Sequence, residues 1–170
     1  MNYFELFGIP VSLKVNKTSL SAKFFDLSKK FHPDYVTRES AAVQDDALEN
    51  SAMLNQAWKI FGNPDSTIKY VLQQKGLLEE EEKYQLPPEF LMEVMEINEA
   101  IMDAQDNPEL KESVLHKTKD LENEIYEPVR EVVENYREDI TTEKELLQVK
   151  EYYFKKKYLQ RIREQLKGKM

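Results

Sequence analysis

The chain contains no cysteine, which excludes disulfides, thiolate zinc sites and cysteine-ligated clusters. Only four glycines occur in 170 residues, and none of them builds a glycine-rich phosphate loop. No nucleophile motif is present. The two histidines, His32 and His116, lack a partner set for a metal, and no carboxylate falls in an evident apolar cleft that would tune it for acid–base work. No apolar run approaches the length needed to span a bilayer. The opening Met1-Asn2-Tyr3-Phe4-Glu5 has no basic region followed by an apolar stretch, which predicts no secretory signal. Positive charge is also short: the net charge of −8 argues against a nucleic-acid binder, whose affinity comes from neutralising phosphates. These absences predict a cytoplasmic, non-catalytic protein without metal or cofactor and without membrane attachment.

What remains is helical. Hydrophobic residues make up 41% and charged residues 33% of the chain, enough for a core beneath a solvated surface. No strand pattern and no internal repeat is visible. Charge is divided unevenly: residues 1–76 hold nine Lys/Arg against eight Asp/Glu, and residues 77–170 hold 15 against 24. Such a split predicts that the two halves meet different partners. Leu77 to Pro88 is the expected linker, with Glu79-Glu80-Glu81-Glu82 solvated and Pro87-Pro88 stiffening the entry to the second half. The acidic run lacks the ligand spacing and turn glycine of a calcium loop.

The first half turns on Lys29-Lys30-Phe31-His32-Pro33-Asp34. A short helix over residues 2–8, ended by Gly8, comes before it. Leu20, Phe24, Leu27 and Phe31 then recur at steps of four, three and four, one stripe of a helix, and Asn16 is its expected N-cap. Pro33 ends that helix, because it removes a donor and disfavours helical geometry at His32. From about Ala41, Ala47, Leu54, Trp58 and Phe61 form a second stripe, stopped at Gly62-Asn63-Pro64. The two helices should pack antiparallel, leaving His-Pro-Asp at the tip of their connection. Taken alone, that tripeptide reads as a Pro-terminated helix with an Asp-capped turn. Lys23, Lys29 and Lys30 fall off the apolar stripe. A fourth short helix, capped by Asp65 or Ser66, carries Ile68, Val71 and Leu72 and closes at Gly76.

In the second half, Pro88-Glu89 opens a helix on which Phe90, Val94, Ile97 and Ile101 form the core stripe. Leu91, Met92 and Met95 are apolar as well but lie mostly outside it, beside Glu96 and Glu99 on a neighbouring face. Such surplus apolar residues either widen the core contact or offer a surface, and methionines suit a surface that adapts to a partner. Asn107-Pro108 opens a long helix with Leu110, Val114, Leu121, Ile125, Val132 and Tyr136 inward and a kink expected at Pro128. Thr142-Glu143-Lys144-Glu145 matches a capping box for a last helix with Leu146, Val149, Tyr153, Leu159 and Leu166 inward. Lys155-Lys156-Lys157 reads as solvated.

The order and spacing of Tyr3-Phe4-Glu5-Leu6-Phe7-Gly8, His32-Pro33-Asp34 and Asn55-Gln56-Ala57-Trp58 resemble the J domain of DnaJ-type co-chaperones. With Phe90-Leu91-Met92-Glu93 added, the whole chain resembles the HscB/Jac-type co-chaperones of iron–sulfur cluster assembly. General DnaJ proteins carry a Gly/Phe-rich region and a zinc module, and this chain has neither. The resemblance implies an all-α protein: a J domain over 1–76, a linker over 77–88 and a three-helix bundle over 89–170. It implies that His32, Pro33 and Asp34, supported by Lys23, Lys29 and Lys30, dock on a DnaK/HscA-type ATPase and stimulate it. It implies that Leu91, Met92, Met95, Glu96 and Glu99, with an aromatic at Tyr153 or Phe154, bind an IscU-type scaffold. The protein would act as a monomer, without nucleic acid. Many J domains have a lysine after the motif, where this chain has Tyr35. An adaptor for a different client and a purely structural helical protein are the competing readings.

Overall fold

The computed structural model describes residues 2–168 and is all-α, with no strand among the described residues. The described residues form two compact units. The first closes at Gln74 and also takes in Asn135–Ile140; the second takes Lys75–Glu134 and continues from Thr141.

In the first unit, α1 (Tyr3–Phe7) starts at a reciprocal cap, the Asn2 side chain accepting from the Glu5 amide while Glu5 answers the Asn2 amide. It ends at Gly8, whose φ of 65° is open to glycine and strained for other residues. Helix α2 (Lys17–Phe31) is capped by Asn16 and α3 (Ala41–Phe61) by Ser40. α2 and α3 pack on each other. Leu20 and Leu54 are each 1% exposed and Ala57 is fully buried, while Phe24 stacks on Trp58 at 4.3 Å. Helix α4 (Pro64–Gln74) buries Ile68, Val71 and Leu72. Its cap is Asn63, not Asp65 or Ser66: the Asn63 side chain accepts both of their amides, at 2.9 and 3.1 Å. Pro64 then takes the first helical position, where its missing donor costs nothing. Tyr70 ties α4 to α1, its hydroxyl accepting the Tyr3 amide at 2.9 Å and its ring stacking on Tyr3.

The second unit is built on α5 (Pro88–Asp103), α6 (Pro108–Tyr126) and α8 (Glu143–Gly168), with the short α7 (Arg130–Glu134) between the last two. Phe90, Val94, Ile97, Val114, Leu121, Leu159 and Ile162 form one buried cluster. The capping box of α8 is present, Thr142 and Glu145 exchanging backbone-to-side-chain bonds of 3.0 and 3.2 Å. Pro128 does more than kink the expected long helix. A 3-10 turn, Glu127–Val129, ends α6 and precedes α7, and a tighter turn changes the phase of every later side chain. Beyond this break Val129 and Val133 are buried and Val132 only half-buried. Leu110, in the opening turn of α6, is 43% exposed rather than inward. Tyr136 is buried, but in the 135–140 segment that clusters with the first unit.

The segment before α5 is not simply solvated. Leu78 is buried, and the Tyr84 ring stacks on Phe154 at 4.7 Å. Glu82 pairs with Lys150 at 2.7 Å, which holds its carboxyl below the ordinary value. The lysine run differs from expectation too. Lys155 meets Glu151 at 3.5 Å and overlies the Phe90 ring at 5.6 Å, and Lys156 overlies Tyr152. Their ammonium groups lie over aromatic rings, an electrostatic attraction to the ring faces, and both side chains are half-buried.

Candidate functional site

Two exposed surfaces stand out among the described residues, one in each unit. The first is the turn after α2. Phe31 is the last α-helical residue, His32 is extended at φ −65° and ψ 129°, and Pro33–Val36 forms a 3-10 turn. The His32 side chain caps that turn, its Nδ1 accepting the Asp34 amide at 3.2 Å. An accepting Nδ1 leaves the proton on Nε2 as a donor, on a side chain that is 56% exposed. The Asp34 carboxylate lies 3.6 Å from Nδ1 and its side chain is 85% exposed. The tip thus offers a donor and a carboxylate side by side, held by a proline and the bond from the Asp34 amide to His32 rather than by a core.

The basic residues beside it are not equivalent. Lys29 and Lys30 are exposed, but Lys23 is half-buried and donates to the Gly8 carbonyl at 3.1 Å. Lys29 sits over the Phe25 ring at 4.4 Å. Phe25 is 60% and Tyr35 68% exposed. With Ser28, Lys29, His32 and Asp34 they line a shallow cleft of about 310 Å³. Phe25 was missed in the sequence because it adjoins Phe24 of the core stripe. Only its offset from that stripe, by one residue and so by about 100° on a helix, could have revealed it.

The second surface is on α5. Phe90, Val94 and Ile97 are 3%, 2% and 5% exposed, whereas Leu91, Met92 and Met95 are 40%, 67% and 61% exposed. Glu96 and Glu99 are exposed with them, and Ile101 is half-buried. The two faces separate along one helix. Of the two candidate aromatics on α8, Tyr153 is buried and Phe154 half-buried, edge-on to each other at 5.2 Å. Phe154 spends one ring face on Tyr84, a contact that the sequence did not suggest. No group of three or more potential ligands is placed to hold a metal among the described residues. Nor is any described helix long and apolar enough to cross a membrane.

Residues 86–167, the helical half that carries this methionine face, match the family model described as the HSCB C-terminal oligomerisation domain. A co-chaperone protein HscB homolog of Vibrio atlanticus is 35% identical over 115 residues, 67% of each chain. The chain belongs to the HscB co-chaperone family. An iron-sulfur cluster co-chaperone protein HscB homolog of Arabidopsis thaliana is 34% identical over 112 residues, 66% of this chain and 44% of that one. Among solved structures, human co-chaperone protein HscB superposes with a TM-score of 0.81 at 26% identity, covering 99% of this chain and 82% of the human one. The first of the matched Vibrio relatives aligns over only 60% of its length. The likeness to the human protein fits the HscB arrangement of an amino-terminal J domain and a carboxy-terminal helical bundle.

Proposed function

We propose that the chain stimulates the ATPase of a DnaK/HscA-type chaperone and delivers to it an IscU-type scaffold protein, in support of iron–sulfur cluster assembly. The observation that carries this reading is the presence, on one chain, of a prefolded exposed His-Pro-Asp tip and a separate exposed methionine face. The J domain is assigned to 1–76, the linker to 77–88 and the scaffold-binding bundle to 89–170. His32, Pro33 and Asp34 engage the ATPase, with Lys29 and Lys30 steering encounter. Lys23 contributes less, because its ammonium already serves the Gly8 carbonyl. Leu91, Met92 and Met95 seat the scaffold, Glu96 and Glu99 supply rim charge, and Phe154 is favoured over the buried Tyr153. The protein is not itself an enzyme. It acts as a monomer and works in the cytoplasm, where its partner finds ATP. Carrying both sites on one chain raises the effective concentration of client at the chaperone.

Steady-state ATP turnover by a purified DnaK-type chaperone tests the first half of the proposal. The full chain should raise turnover, and Asp34→Asn should remove the increase without lowering the melting temperature. A correctly folded Asp34→Asn protein with full stimulation would overturn it.

A further inference from the structure

The exposed face of α5 extends beyond Glu99. Met92, Met95, Glu99 and Met102 follow at steps of three, four and three, one line along a helix, and Met102 is 71% exposed. Met102 also helps to line a groove of about 970 Å³ formed by the end of α5, the start of α6 and the final turns of α8. Ile101, Ile162, Leu166 and the Tyr158 ring give the groove an apolar lining.

Three charged side chains complete it: Asp106, Lys111 from α6 and Arg161 from α8. Both cations are exposed, and neither is engaged in an ion pair or hydrogen bond among the described residues. The groove therefore carries an excess of one positive charge, within a half of the chain that holds 15 basic and 24 acidic residues. Two unpaired cations beside apolar surface favour a ligand that brings both an apolar side chain and a carboxylate.

We propose that this groove is the far end of the client surface and receives an acidic, apolar segment of the scaffold protein. This rests on the reading of α5 as the client face. An apolar side chain of the client packs against Met102 and Ile101, and a neighbouring carboxylate meets Lys111 or Arg161. The occupant is the client because the groove is continuous with the methionine line, so one partner covers both. The sign also changes between α5, whose charged residues are all acidic, and the groove, whose two cations come from α6 and α8. Glu96 and Glu99 require basic groups of the client, and the groove beyond Met102 requires an acidic one. A client with that order fits in one direction only, which is how charge fixes register and rejects wrong partners.

Titration of a purified IscU-type scaffold onto the full chain tests this, with melting curves on the same preparations. Lys111→Glu with Arg161→Glu should weaken binding about tenfold at low salt, and the deficit should shrink as salt rises and screens the charges. Met102→Ala should weaken it about fivefold at all salt concentrations, as loss of an apolar anchor does. Both variants should melt like the wild type. Met92→Ala with Met95→Ala gauges the underlying reading. If that variant loses affinity while the Met102 and double-charge variants bind like the wild type, the client face ends at Glu99 and the groove proposal is wrong. If the Met92/Met95 variant itself binds normally, the α5 reading has failed instead. If the groove variants abolish self-association of the chain, seen by sedimentation, and leave scaffold affinity unchanged, the occupant is a second copy and the proposal is overturned.

Discussion

The tip of the first unit and the exposed face of α5 are both recognition surfaces in this account, yet they are made in different ways. At the tip, backbone does the work: Pro33 fixes the turn, the His32 ring caps it, and the Tyr35 amide donates to the His32 carbonyl at 3.1 Å. Nothing there depends on a core, so its polar groups can be changed without unfolding the chain. On α5 the recognition residues share a helix with the core residues, and only one or two positions separate Met95 from Val94, Met92 from Val94 and Met95 from Ile97. A tip can be read from three consecutive letters. A helix face can be read only from the relation between two periodic sets. The difference predicts that mutations at the tip act on activity alone, whereas mutations on α5 act on stability or affinity according to their phase.

The largest effect should come from crossing into the core phase. Val94→Ala with Ile97→Ala removes side chains only 2% and 5% exposed, each worth roughly 1–4 kcal/mol when buried. The second unit should melt much earlier, and scaffold affinity should fall only as that unit unfolds. Melting curves decide it; a wild-type melting temperature would show that the faces have been assigned backwards.

Next in size is the exposed phase. Met92→Ala with Met95→Ala should leave melting nearly unchanged, because surface substitutions stay within about 0.5 kcal/mol. The same variant should lose most scaffold affinity, on the order of 100-fold, since a few anchors carry most of an interface. Early melting of this variant would mean that the two methionines are core and that α5 has no separate binding face.

A smaller effect is expected from Lys29→Ala with Lys30→Ala. Exposed charges speed encounter and are screened beyond about 10 Å at 0.1 M salt. The association rate with the ATPase should drop a few-fold at low salt and recover its wild-type value as salt rises. A deficit independent of salt would instead implicate the packing of Lys29 on Phe25.

The smallest effect tests the segment ahead of α5. The Glu82 carboxyl is held below its ordinary value of 4.5, chiefly by the hydrogen bond from Lys150. A carboxylate whose folded value is depressed adds stability above its unfolded value, and that stability is lost as pH falls through the folded one. Glu82→Gln should therefore melt slightly below the wild type at pH 7, and the gap should begin to narrow as pH falls through about 4.5 and close once pH is below the depressed folded value, where protonation has removed the pair from the wild type as well. A gap that persists unchanged at pH 3 would show that the pair contributes nothing through charge.

Local signals were legible and long-range ones were not. Asn16, the Gly8 stop and the Thr142–Glu145 box act within four residues of themselves, and each helix end falls where they place it. The His-Pro-Asp tip belongs to the same class. The cap of α4 moved to Asn63 because proline at the first helical position shifts the cap to the residue before it. The inward set after Pro128 is Val129 and Val133 rather than Val132, past a break in the helix at Glu127–Val129 across which one continuous period does not carry. The contacts of Glu82 with Lys150, Tyr84 with Phe154 and Lys155 with Phe90 join segments distant in sequence, so no local pattern announces them. Lys23 was placed with the other lysines for the same reason: its bond to Gly8 spans fifteen residues.

One crossed measurement bears most directly on the claim that the two surfaces are separate and serve different partners. His32→Gln and the Met92→Ala/Met95→Ala variant are each assayed for ATPase stimulation without scaffold and for scaffold affinity, on preparations with matched melting curves. His32→Gln should bind scaffold like the wild type and stimulate nothing, and the methionine variant should stimulate like the wild type and fail to bind scaffold. If either folded variant loses both properties, or keeps both, the assignment of one surface to each partner is contradicted.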